Sequence, residues 1–376
     1  MRINKGRLVS EFIKLVSIDS PSFGEKQMGE HIKNALISLN FSVFEDNSGK
    51  KLRGNCGNIY GFLKGELQGE PLLFSAHMDT VEPSRGKQAI VAENGIITSN
   101  GETVLGADDC SGIAAILEAL RTIKDQNLPH RSIEVLFTIA EEVYCKGVQQ
   151  FDGTLLKAKE AYVLDLIGTV GTAAYKAPTI LSFTVTIKGK SAHAGFAPET
   201  GIHAIAIAAN AISQIKMGRI DENTTLNIGT IEGGRATNIV PDLCTVCGEI
   251  RSFYHDKALE QLETPKNIFI NNAHLVGGFA EFEVSCGSEA YETKLDSPVI
   301  KRFERACRKL ALPVTLLETF GGSDNNYLSK FGIAGIVVAS AMNNCHSCQE
   351  YTTADELQKI AELTVSLMTD NMEIEG

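Results

Sequence analysis

Four times in this chain a short apolar run ends in histidine or carboxylate residues. Leu72-Leu73-Phe74-Ser75-Ala76 leads into His77-Met78-Asp79, and Leu105-Gly106-Ala107 into Asp108-Asp109. Ile133 to Ile139 leads into Ala140-Glu141-Glu142, and Ala161-Tyr162-Val163-Leu164 into Asp165. Short apolar runs alternating with helical stripes read as buried strands of a layered α/β domain with a largely parallel sheet. In such sheets the carboxyl ends of the strands line one crevice, so the four clusters are expected to converge. A fifth, Asn343-Asn344-Cys345-His346, follows a late strand at Gly335 to Ala339.

The elements around these runs follow the same logic. Leu8, Val9, Phe12, Ile13 and Val16 form one helical stripe, and a second helix is expected from about Glu25 to Leu39. Phe41 to Phe44 and Gly57 to Leu63 read as strands, and Ile113 to Leu120 as a helix capped by Asp109 or Ser111. After Pro178 the rhythm changes. Leu181, Phe183, Val185 and Ile187 alternate as on a half-exposed strand. A helix (Thr200 to Ile215), two strands (Leu226–Ile231, Leu243–Ile250), a helix (Asp256–Asn272) and a strand (Phe279–Val284) follow. This β-α-β-β-α-β order predicts a small α+β, ferredoxin-like layer. From Tyr291 the α/β pattern resumes, with a terminal helix from Ala354 to Thr369. The expected organisation is one α/β domain, residues 1–177 and 289–376, interrupted by an inserted domain, 178–288. At 376 residues the chain is long enough for two cores.

Composition excludes several roles. With 35 Lys and Arg against 46 Asp and Glu, the formal charge is −11, which disfavours nucleic acid as a partner. No apolar run approaches the ~18 to 20 residues of a membrane span, and the basic N-terminus lacks an apolar signal region, so a cytoplasmic location is expected. Nine Cys residues without framework spacing suit a reducing compartment. The Cys-x-x-Cys pairs Cys244/Cys247 and Cys345/Cys348 have the spacing of a shared structural Cys₄ zinc site. The first lies in a strand, where positions three apart face opposite sides, so small buried thiols are the expected reading.

His77, Asp108, Glu142, Asp165 and His346 together offer the oxygen and nitrogen donors that suit Zn²⁺, with Co²⁺ or Mn²⁺ as alternatives. Two cations need a shared ligand, and a carboxylate with two oxygens can bridge ions ~3.5 to 4 Å apart. Asp79, two residues past His77, is placed to accept the imidazole's second N–H. Of the adjacent Glu141 and Glu142, one can bind metal while the other serves as general base. Each fragment alone is more often a turn or a solvated loop end; their ordered recurrence after successive strands is what carries weight.

The order His77-x-Asp79, Gly106-x-Asp108-Asp109-x-x-Gly112, Glu141-Glu142, Asp165, His346 resembles the M20 family of dinuclear zinc peptidases over essentially the whole chain, and within it the peptidase T-like branch. The resemblance implies that His77 and Asp165 hold one Zn²⁺ and Glu142 and His346 the other, with Asp108 bridging. It implies that Asp79 orients His77, that Glu141 is general base and then proton donor, and that the Asp108-Asp109 peptide is cis. It also implies that His193, in Gly189-Lys190-Ser191-Ala192-His193-Ala194-Gly195, stabilises the oxyanion. By the same likeness Asn238, Arg251, Gly322 and Ser323 contact a short peptide substrate, Arg251 through the peptide's carboxylate. The inserted domain would act as a lid hinged near Ala177–Thr179 and Ser288–Glu292, and as a dimerisation element, leaving a homodimer open. Phe320 stands where many members carry Arg, and Cys345 and Cys348 flank His346. The expected activity is hydrolysis of di- or tripeptides from the N-terminus, the alternative a carboxypeptidase or N-acyl amino acid deacylase on the same centre.

Overall fold

A computed structural model describes residues 2–371. They fall into two compact units. The larger comprises Met1–Lys176, Glu292–Thr319 and Ser323–Gly376; the smaller comprises Ala177–Tyr291 with Phe320–Gly322. The last segment clusters with the smaller unit because the Phe320 carbonyl accepts from Arg251 Nη1 at 2.6 Å and its ring lies 4.5 Å from that of Phe253. Gly322 and Ser323, adjacent in sequence, thus belong to different units.

The larger unit is built on a mostly parallel sheet. Its order runs Ser42–Glu45, Ile59–Leu63, Ile133–Thr138, Leu72–His77, Glu160–Ile167, Ala334–Met342, Thr172–Ala177. The middle strands, from Ile133–Thr138 to Ala334–Met342, are mutually parallel, and antiparallel strands finish each side. Leu72–His77 and Ile133–Thr138 are buried at every residue, as a strand covered on both faces must be, which is why they read as unbroken apolar runs. Phe74 and Phe137 are fully buried, each such burial worth about 1.5 to 3 kcal/mol.

The central helix, Ala107–Gln126, is longer than its apolar stripe suggests. Asp108 and Asp109 interrupt its helical dihedrals, and the expected cis peptide joins them. Regular helix follows, with Asp109 Oδ1 accepting from the Gly112 amide at 3.1 Å, the capping role read for Asp109. Gly112 has a steric reason: a Cβ there would lie 2.4 Å from Asp109 Oδ1 and 2.5 Å from the Leu164 carbonyl. The helix therefore approaches the strand carrying Asp165 as closely as a backbone can. Ala354–Met368 packs against it.

The smaller unit has the expected ferredoxin-like order plus one strand. Its antiparallel sheet runs Gly218–Asp221, Thr224–Gly233, Leu243–Ser252, Thr179–Lys188, Phe279–Ser288, with Ala204–Ser213 and His255–Leu275 as its helices. Gly218–Asp221 was not expected; Gly-Arg-Ile-Asp has one apolar residue and no alternation. The first helix starts at Ala204, not Thr200, because Pro198–Thr200 forms a 3₁₀ turn and the His203 side chain caps the helix by accepting from Ala206 N. Leu181, Phe183, Val185 and Ile187 all point into this unit's own core. Among the described residues no helix is long and apolar enough to cross a membrane.

Candidate metal centre

Every strand-end cluster lies at the carboxyl edge of the parallel sheet. His77 ends Leu72–His77, Glu141 and Glu142 follow Ile133–Thr138, Asp165 lies in Glu160–Ile167, and His346 follows Ala334–Met342. Asp108, from the helix start, sits among them. Its Oδ1 is 2.9 Å from His77 Nε2 and its Oδ2 is 3.2 Å from His346 Nε2. His346 Nε2 also lies 3.1 Å from Glu142 Oε2, and His77 Nε2 lies 3.8 Å from Asp165 Oδ1. His77 and Asp108 are only 2% and 8% exposed, whereas the His346 side chain is 57% exposed, so the centre opens to solvent on that side.

The loops carrying these groups are held by buried carboxylates gripping main-chain amides. Asp79 Oδ1 accepts from Glu141 N at 2.9 Å, and Asp79 Oδ2 from Glu142 N at 3.2 Å and Ser22 Oγ at 2.7 Å. His77 Nδ1 is nearer the Asp79 carbonyl (2.9 Å) than the Asp79 carboxylate (3.5 Å). Asp79 therefore orients the imidazole mainly through its main chain and spends its carboxylate on the Glu141-Glu142 turn. Glu25 Oε1 accepts from Ala140 N at 3.0 Å, Glu350 from Gly106 N and Asp108 N, and Asp109 Oδ2 from His77 N at 3.3 Å. Ala140 (φ 51°) and His346 (φ 61°) are in the left-handed region that side chains avoid, a local strain sustained only by surroundings as constrained as these. None of the gripping carboxylates except Asp79 and Asp109 stood out in the sequence.

The electrostatics call for cations. Burial, then the Asp165 charge, pushes Glu141 well above the usual carboxylate range. Burial likewise raises Asp165, Asp108 adding to it, and raises Glu142 against the opposing bond from His346. Asp108 goes the other way: its bonds to His346 and His77 outweigh its burial and hold it below the usual range. Those bonds lift His346 to about 10, through Asp108 first and then Glu142. So many carboxylates against two imidazoles is a costly buried arrangement without added positive charge. Glu142 Oε1 is moreover buried without any hydrogen-bond partner. Ligand atoms of His77, Glu141 and Asp165 lie within 4.8 Å of one another, as do those of His77, Asp108 and Glu142. The donor set fits two divalent cations.

Two residues near Glu141 were not anticipated as its neighbours. Cys145 Sγ donates to Glu141 Oε1 at 3.2 Å, and the buried Asp324 belongs to the same cluster, Thr138 Oγ1 donating to its Oδ2. Cys145, held as a thiol by its burial, is a neutral donor there. Among the described residues no such cluster includes Cys244, Cys247, Cys345 or Cys348. Burial, with the Asp108 charge adding to it, pushes the Cys345 thiol far up.

The smaller unit brings His193 and Asn238 side by side: His193 pairs with Ile239, and Ala194 N donates to the Asn238 carbonyl at 3.0 Å. His193 Nδ1 accepts from Gly195 N (3.1 Å) and Phe196 N (3.2 Å), and its ring stacks 4.2 Å from that of Phe196. Arg251 is already engaged, Nε with Glu249 Oε1 and Nη1 with the Phe320 carbonyl, both at 2.6 Å. In the larger unit the buried Ser323 gives its amide to Asn326 Oδ1 at 3.0 Å, so that main-chain donor is committed inside the protein.

The model of peptidase family M20/M25/M40 matches residues 73–370. The protein YqjE of Bacillus subtilis (strain 168) is 37% identical over 368 residues, spanning 98% of this chain and 99% of YqjE. A tripeptidase of Staphylococcus aureus subsp. aureus Mu50 superposes with a TM-score of 0.94 at 34% identity, covering 98% of each chain. The aminopeptidase PepT of Bacillus cereus ATCC 10987 superposes at 0.89 with 37% identity, again over 98% of each. With its mixed α/β fold and this match over most of its length, the chain belongs to peptidase family M20/M25/M40.

Proposed function

We propose that this protein is a dinuclear metallo-aminopeptidase that releases the N-terminal residue of di- and tripeptides. The observation that carries the reading is Asp108, whose two oxygens face His77 Nε2 at 2.9 Å and His346 Nε2 at 3.2 Å, the disposition of a bridging ligand. His77 and Asp165 would hold one Zn²⁺ and Glu142 and His346 the other. The bound cations would supply Lewis-acid activation of the scissile carbonyl and of a water. The likeness to a tripeptidase and to PepT supports the short-peptide, N-terminal assignment.

In this reading Glu141 takes the proton from the attacking water and passes it to the leaving amine. Its place beside His77 and Asp165 suits both halves of that transfer. Asp79 fixes Glu141 by its amide, and Cys145 fixes the carboxylate itself. His193 is proposed as the oxyanion donor. In the neutral ring two amides occupy Nδ1, so the proton sits on Nε2 and is available to donate. Asn238 lies beside it as a substrate contact. Arg251, held by Glu249 and by the Phe320 carbonyl, is proposed as a further substrate contact, one that does not separate the aminopeptidase from the carboxypeptidase and deacylase alternatives.

Glu141→Ala tests the role. Metal content per chain is expected to stay unchanged while kcat on a free tripeptide falls on the order of 10²–10⁴-fold. Unchanged turnover would remove the base, and activity confined to N-acetylated amino acids would replace the aminopeptidase.

A further inference from the structure

His346 is carried by a narrow, closed loop. Asn343 N donates to the Tyr351 carbonyl at 3.1 Å and Tyr351 N to the Asn343 carbonyl at 3.0 Å, forming its stem. Inside it Glu350 N bonds the Ser347 carbonyl at 3.1 Å, and Ser347 Oγ the Asn344 carbonyl at 2.8 Å. His346 itself is exposed near the tip, and its side-chain bonds are those to Asp108 and Glu142. Glu350, next to the stem, points the other way and is 1% exposed. Its Oε2 accepts from Gly106 N at 2.6 Å and its Oε1 from Asp108 N at 2.9 Å. One buried carboxylate thus spans the loop of one metal ligand and the main chain of another, 242 residues away in sequence.

We propose that Glu350 is a positioning residue that ties the His346 loop to the Asp108 turn and thereby sets the affinity of the centre for divalent cations. Its two charge-assisted bonds fix the Asp108 main chain on either side of Ala107, so the direction of the bridging carboxylate follows from Glu350 as much as from Asp108. The same bonds hold the base of the loop whose tip carries a ligand in a left-handed conformation. Without the tie, His346 and Asp108 must be ordered by the cation itself, at the expense of binding.

This inference rests on the metal-centre reading, and its test separates the two. The purified enzyme is loaded with Co²⁺, its absorption bands are recorded, and Co²⁺ affinity is measured by competition with a chromophoric chelator. Glu350→Ala is expected to weaken Co²⁺ binding about 10- to 100-fold and to alter the bands, with Glu350→Gln between it and the parent, since an amide can accept only one of the two N–H groups. Glu134 is the control. It is equally buried and also accepts main-chain amides, from Lys157 and Ala158, but at the opposite end of its strand. Glu134→Ala should lower stability and leave Co²⁺ affinity and spectrum unchanged. Parent-like affinity in Glu350→Ala, or an equal loss in Glu134→Ala, overturns the proposal. Should Glu350→Ala not fold, Glu350→Gln decides by the same readout. Failure of the parent enzyme itself to bind Co²⁺ overturns the metal-centre reading instead.

Discussion

The candidate site residues of the two units are held in opposite ways. In the larger unit His77 and Asp108 are buried, and side-chain carboxylates grip the main-chain amides of His77, Asp108 and Glu141. In the smaller unit His193 and Asn238 are exposed, and their segment is held by main-chain bonds and one stacked ring, Phe196, that is itself 85% exposed. A cation centre needs ligands fixed to a fraction of an ångström before the ion arrives, which burial and charge-assisted bonds provide. A group that meets a substrate must stay open until the substrate is there. The contrast teaches that precision and access are divided between the units.

Three experiments press on this division. The largest effect should come from Asp108→Ala. Removing the proposed shared ligand is expected to deplete both cations and lower kcat at least about 10³-fold, measured as metal per chain and turnover of a tripeptide. Retention of both ions would mean that rigidity in the larger unit serves something other than metal. Next, His193→Ala should lower kcat about 10²–10³-fold with metal content unchanged. Loss of metal in that variant would break the comparison from the other side.

The smallest effect concerns Glu25, whose burial, with the Asp79 charge adding to it, raises its pKa from the ordinary 4.5 to about 7. Between those values the folded chain holds a proton that the unfolded chain has released. The stability from neutral Glu25 is therefore fully present below about pH 4.5 and lost as pH rises to about 7, up to ~3 kcal/mol in all. Glu25→Gln keeps an acceptor for Ala140 N and Phe23 N and cannot ionise. Its Tm should fall less than that of the parent between pH 5 and 7.5. Parallel curves would exclude Glu25 as the titrating clamp.

How far the sequence spoke depended on whether a residue's role leaves a pattern. The strands flanking the ligands were legible because burial on both faces demands unbroken apolar runs, as in Leu72–Leu73–Phe74. Thr172–Ala177 and Thr315–Glu318 were not, being short, partly polar and without clean alternation. The start of the central helix was missed because Asp, Cys, Ser and Gly are weak helix formers and the packing of Ala354–Met368 overrides that preference. The carboxylates that grip amides, Glu25 and Glu350 above all, follow no period. An acceptor for an N–H more than a hundred residues away looks in sequence like any surface acid. The engagement of Arg251 by Glu249 two residues earlier was visible as a pair of opposite charges, yet its second partner, the Phe320 carbonyl, lies 69 positions on.

Asp79 touches both proposed ligand sets, through its carbonyl at His77 and through its carboxylate at the amide of Glu142. In the proposed two-cation centre the ions would in consequence not be independent tenants. Loosening one coordination sphere slackens the other by way of a single residue, so filling should be cooperative, and a singly loaded enzyme should be scarce at any cation supply.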